Sequence, residues 1–219
     1  MVRYRAAVGL ATLLGLLAGG CPVDSTFALD ANATGADLAG PASNSFAGLG
    51  DAEVENPAPP VAGTRGSAGS DFSTQLSARF PACGVSAREA EWREEIYGLV
   101  NRARAAAGLA PVSRNETLER QASQYACELI QYDFFAHVNP VTDTRLEDRA
   151  LAFGYDYHVI GENLAAGQTT PQQAFTDWMN SPSHRDNILD PRFTQLGVGI
   201  RAGGSYNVYW VQEFGFPLE

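Results

Sequence analysis

Three side chains in the second half of the chain could do chemistry together: the imidazoles of His137 and His184 and the carboxylate of Glu162. His137 lies in Phe134-Phe135-Ala136-His137-Val138-Asn139-Pro140, between an aromatic pair and an Asn-Pro turn. His184 follows Ser181-Pro182-Ser183, which reads as an N-cap, an N1 proline and the first turn of a helix. That places His184 at N3, where the positive end of the helix dipole disfavours imidazolium. A neutral imidazole is the form that ligates a metal or acts as a base. Glu162 follows a glycine in Gly161-Glu162-Asn163-Leu164-Ala165, at an apparent strand-to-loop turn. Each residue also has an ordinary structural use: a first-turn histidine packs, and a buried glutamate bonds the backbone amides of its loop. The helical His-Glu-x-x-His spacing of a zinc protease is absent. His158 reads as a surface or packing residue.

The elements that must position these groups are marked by caps and periodicity. Ser86 and Glu89 stand at capping-box spacing, and Trp92, Ile96, Leu99, Ala103 and Ala106 then recur at helical intervals up to Gly108. A second helix is expected from Asn115, with Leu118, Ala122, Tyr125 and Leu129 on one face, and a third over Leu146 to Phe153, stopped by Gly154. Thr170-Pro171-Gln172-Gln173 opens a fourth, with Ala174 and Trp178 buried, and Ser181-Pro182 a fifth running to Leu189. The period then changes to two. Leu196, Val198 and Ile200 alternate with Gly197, Gly199 and Arg201; after Gly203-Gly204, the pattern resumes from Tyr206 to Phe214. That is a β-hairpin with one packed face. Helices first and a terminal hairpin last predict an α+β domain or an α/β/α sandwich.

The 219 residues divide into three parts. Residues 1–21 carry Arg3 and Arg5 before an apolar stretch, Ala6 to Ala18, too short for a membrane span and suited to a signal-peptide core. The small residues before Cys21 resemble a bacterial lipobox, which would make Cys21 a lipidation site; plain secretion is the alternative. Residues 22–82, rich in Ala, Gly, Ser, Pro and Asp, lack a sustained apolar period and are expected to be a disordered tether. Residues 83–219 form the folded domain. Cys83 and Cys127 remain after Cys21 is removed, and a pair in an exported chain is most simply a disulfide, with two buried thiols as the alternative. The formal net charge is -10, with no run of Lys or Arg in the mature chain. Without a basic stripe the chain lacks the footprint that phosphate backbones need, so nucleic acid is not an expected partner.

Taken in order, Asn101-Arg102-Ala103-Arg104, Phe135-Ala136-His137, Gly161-Glu162-Asn163-Leu164-Ala165, Trp178 through Leu189, Gly197-Val198-Gly199 and Tyr209-Trp210-Val211-Gln212-Glu213-Phe214-Gly215 resemble the bacterial, SCP-like branch of the CAP superfamily of cysteine-rich secretory, antigen 5 and pathogenesis-related proteins. The resemblance implies a three-layer α/β/α sandwich with a cleft lined by two histidines and acidic residues. His137 and His184 match the family's histidine pair, which in some members binds zinc or another divalent cation, and Glu162 matches its first acidic position. The second acidic position of eukaryotic members, three residues after the helical tryptophan, is Ser181 here; Glu213 is a candidate replacement, facing either way on its strand. Two readings follow. The cleft (His137, Glu162, His184, Glu213) belongs to an envelope-displayed binding module for a small ligand, lipid, glycan or peptide, with membrane contact only through the N-terminal anchor. Alternatively, His137 and His184 hold zinc and Glu162 is the catalytic base of a hydrolase acting on peptide or cell-wall material. Only two histidine ligands can be named, which favours the binding module.

Overall fold

A computed structural model describes residues 29–30 and 68–218. The expected signal peptide, Cys21 and most of the expected tether lie outside these residues. Five strands form one sheet in the order β1-β3-β5-β4-β2: β1 (Leu29–Asp30), β2 (Ser113–Arg114), β3 (Tyr157–Ala166), β4 (Gln195–Gly203) and β5 (Asn207–Pro217). β3, β5 and β4 are mutually antiparallel, β1 pairs antiparallel with β3, and β2 runs parallel to β4. Helices α3 (Glu116–Gln131) and α4 (Leu146–Ala152) cover one face, with α1 (Ala68–Arg79) outside α3. Helices α2 (Glu89–Ala106), α5 (Pro171–Asn180) and α6 (Pro182–Leu189) cover the other. This is the mixed α+β sandwich expected, closed by a C-terminal hairpin.

Most helix boundaries sit where local chemistry puts them. Asn115 caps α3 by accepting from the Leu118 amide at 3.0 Å, and Thr170 caps α5 by accepting from the Gln173 amide at 3.3 Å. Gly108 and Gly154 end α2 and α4 at φ of 75° and 77°, a conformation glycine adopts without steric cost.

The start of the domain differs from expectation twice. The Ser86–Glu89 capping box does not form: Arg88 is the N-cap without a side-chain bond, and the Glu89 carboxylate turns inward to Arg201 and Arg93. Helix α1 falls inside the stretch expected to be tether. Its Phe72 and Leu76, with Phe80 just after its end, are four apart and share one face, and Leu76 and Phe80 are buried against α3 residues including Ala122 and Leu129. The Cys83–Cys127 disulfide ties the segment after α1 to α3. Of the two readings for these cysteines, the bridge is the one present.

Two family-motif pieces are structural. Arg104, fully buried, donates to the carbonyls of Ala110, Ile188, Asp190 and Phe193. Gly197 and Gly199 let the α3 backbone lie directly on β4: a Cβ at either would fall 2.2–2.3 Å from the backbone of Leu118 or Ala122. The opposite face packs Trp92 on Trp210, ring centroids 5.2 Å apart, with Ile96, Trp178 and Phe214 around them.

Candidate functional site

Glu162 lies in the middle of β3, not at a turn, and it bonds side chains rather than loop amides. Its cross-strand partner on β5 is Glu213. Directly opposed residues of paired strands share a face, so the register settles which way Glu213 points: inward, beside Glu162 and toward the α3 side. Both carboxyls are fully buried.

Glu162 is held at both oxygens. The imidazole of His137 meets Oε1 through Nδ1 at 2.7 Å, and Arg149 of α4 donates to Oε2 from Nη2 at 2.6 Å. Arg149 also donates to the His137 carbonyl at 3.1 Å, and its guanidinium carbon lies 3.4 Å from the centre of the Tyr125 ring. One buried cation therefore fixes both the glutamate and the histidine loop. Burial alone would depress the Arg149 pKa; Glu162, with smaller help from Tyr125, Glu213 and Glu128, outweighs it and raises it. The loop itself is pinned by Asn139, whose amide donates to Glu128 at 2.8 Å and whose carbonyl accepts the Val141 and Thr142 amides.

The other two groups stand differently. Glu213 has no hydrogen-bond partner at either oxygen among the described residues. Burial pushes its carboxyl well above the usual range, and the neighbouring Glu162 carboxylate adds to the shift. Two like carboxylates side by side cannot both ionise cheaply, which favours the protonated form of Glu213. His184, at N3 of α6 as expected, is fully buried, and neither ring nitrogen has a hydrogen-bond partner among the described residues. Burial, then the proximity of His137, pushes its pKa down to about 4. It is a neutral imidazole at physiological pH. His158 is half-buried against Phe216, ring centroids 5.2 Å apart, outside this cluster.

A model of the CAP family, the cysteine-rich secretory protein family, matches residues 97–214, more than half of the chain. The chain belongs to the CAP family. It is 37% identical over 123 residues to the uncharacterized protein YkwD of Bacillus subtilis, covering 56% of this chain and 46% of that protein. Among solved structures, an extracellular protein containing an SCP domain from Bacillus anthracis is similar at 27% identity and a TM-score of 0.53, covering 58% of this chain and 41% of that one. An outer surface protein of Borrelia burgdorferi shares the fold at 24% identity and a TM-score of 0.53, covering 58% of this chain and 94% of that one. The CAP chain thus spans under half the length of its Bacillus relatives.

As a metal centre, this CAP site is short of ligands. Among the described residues no group of three or more His, Cys, Asp or Glu is placed to hold an ion. Glu162 is already engaged by His137 and Arg149, and catalytic zinc sites use three protein ligands. Sequence reasoning missed Arg149, which joins the cluster only through the packing of α4 on β3. Its position twelve residues after His137 carries no periodic signal. The acidic sequence Glu147-Asp148 beside it drew no attention to a buried cation.

Proposed function

We propose that this CAP domain is an exported binding module whose His137–Glu162–His184–Glu213 hollow takes a small polar ligand. The supporting observation is the pair of unmatched buried groups. A buried polar atom normally has a partner, and leaving one without costs about 1–3 kcal/mol. His184 offers a donor and an acceptor, and protonated Glu213 another donor, around a Glu162 carboxylate that Arg149 and His137 already hold. A hydroxyl- or amide-bearing ligand, such as a glycan or a peptide, would satisfy them; a lipid would do so only through its headgroup. The extracellular and outer-surface settings of the similar bacterial proteins support display on the cell envelope, with Cys21 as the lipid attachment point.

A divalent cation, zinc included, fits here only as a weak guest of His137 and His184. No hydrolytic step is derived through it. Calorimetric titration of the chain with zinc, alongside His137→Ala and His184→Ala, tests the reading: weak or undetectable binding is expected. Tight zinc binding abolished by each substitution would overturn it and favour the peptide or cell-wall hydrolase.

A further inference from the structure

The two side chains that hold Glu162 differ in what they can exchange with it. Arg149 is 6% exposed and donates to Oε2 at 2.6 Å. It cannot turn away, because its Nη1 donates to the carbonyls of His137 at 3.1 Å and Thr144 at 3.4 Å and its guanidinium lies on the Tyr125 ring. A guanidinium carries only N–H groups and never accepts a hydrogen bond. Whatever side chain stands at position 162 must therefore turn an acceptor toward Arg149. As the counter-ion of this buried cation, Glu162 is a carboxylate, with an acceptor at each end. Its Oε1 lies 2.7 Å from the His137 Nδ1, a bond that forms only if that nitrogen carries the proton. In the neutral ring the lone pair then belongs to Nε2.

His184 is under no such constraint. Neither of its ring nitrogens has a hydrogen-bond partner among the described residues, so no bond there chooses between its two neutral forms. Two histidines of one motif set thus differ chemically. The direction of donation runs from Arg149 and from His137 into the same carboxylate, and it stops short of His184.

We propose that Glu162, oriented by Arg149, is a positioning residue that fixes His137 as its Nδ1–H tautomer, while His184 keeps both forms. The consequence for a ligand rests on the binding reading above. A group that hydrogen-bonds the neutral His137 ring at Nε2 must be a donor, such as a hydroxyl, an amide N–H or an ammonium. His184 adapts to a donor or an acceptor. A ligand carrying acceptors alone is not matched at His137.

Nitrogen-15 NMR of the full chain labelled at histidine, without ligand and at a pH where the rings are neutral, tests the tautomer apart from the binding reading. The chain has three histidines, so His158→Gln and His184→Gln assign the signals. His137 is expected to show a protonated Nδ1 and an unprotonated Nε2, favoured about tenfold or more by the bond to a charged acceptor. Glu162→Gln separates a directing role from mere filling of space. Its one carbonyl must face Arg149, which leaves its amide N–H groups toward Nδ1. The two His137 signals should then exchange character, with the proton on Nε2. A wild-type His137 that is mainly Nε2–H, or an even mixture, would overturn the proposal, as would a folded Glu162→Gln protein that keeps Nδ1–H. If that variant does not fold, the wild-type spectrum alone decides. Failure of polar ligands to bind would remove the consequence for recognition and leave the tautomer standing.

Discussion

Adjacent residues of β3 and β5 build two opposite kinds of polar interior. On the α2, α5 and α6 face, Asn163 donates to the Gln212 side chain at 3.0 Å and to the His184 carbonyl at 3.1 Å, and accepts from Asn187 at 2.9 Å. One residue away on the α3 face, Glu162 and Glu213 oppose each other, and Glu213, like His184 on α6, has no hydrogen-bond partner among the described residues. The first group is neutral amides bonded to one another, although the Gln212 amide nitrogen has no hydrogen-bond partner among the described residues. The second is titratable groups held by one cation and left incomplete. Matched amides specify a fold, whereas unmatched titratable groups make a protein sensitive to ligand and pH.

The largest expected break in this contrast is Glu162→Ala. It leaves the Arg149 guanidinium buried without its carboxylate and should cost about 3–5 kcal/mol in urea unfolding. A loss under about 1 kcal/mol would show that the pair does not organise the hollow. Next comes pH. His184 is held near 4 in the folded chain against 6.5 as its ordinary value, so the unfolded chain takes the proton first. Stability should therefore fall as pH drops from about 6.5 to about 4, by on the order of 3 kcal/mol, and change little further from this group below that. His184→Gln should flatten that slope.

On the amide face, Asn163→Ala should cost about 1–3 kcal/mol by stripping Asn187, Gln212 and the His184 carbonyl of a shared partner, with no new pH dependence. The smallest effect belongs to Glu213→Gln. The folded pKa of Glu213 is raised, so its contribution is present at low pH and lost as pH climbs through the folded value. The substitution should change stability by less than about 1 kcal/mol at pH 5 and make the protein relatively more stable than wild type as pH rises.

What the sequence revealed was local. Asn115, Thr170-Pro171, Gly108 and Gly154 act within one turn of themselves, and each marks a boundary in the structure. The Ser86–Glu89 box looked just as local, yet Glu89 is taken by Arg201, 112 residues away, because a buried guanidinium outcompetes an exposed cap. Helix α1 was hidden since three apolar residues in an Ala/Gly/Ser background give little period until α3 covers them. Within the hollow, the histidine pair and Glu162 were legible through motif order. Arg149 and the inward turn of Glu213 were not: one depends on helix-to-strand packing, the other on a register that alternation cannot supply.

The carbonyls of Glu162 and Leu164 on β3 are each taken by a side chain, Asn187 at 3.1 Å and the Trp178 indole at 3.1 Å. Neither oxygen remains to receive a strand from a neighbouring molecule, and the rim beyond Ile160 is thus closed to edge-to-edge sheet growth. That closure guards the β3 rim against aggregation through pairing with another copy's strand.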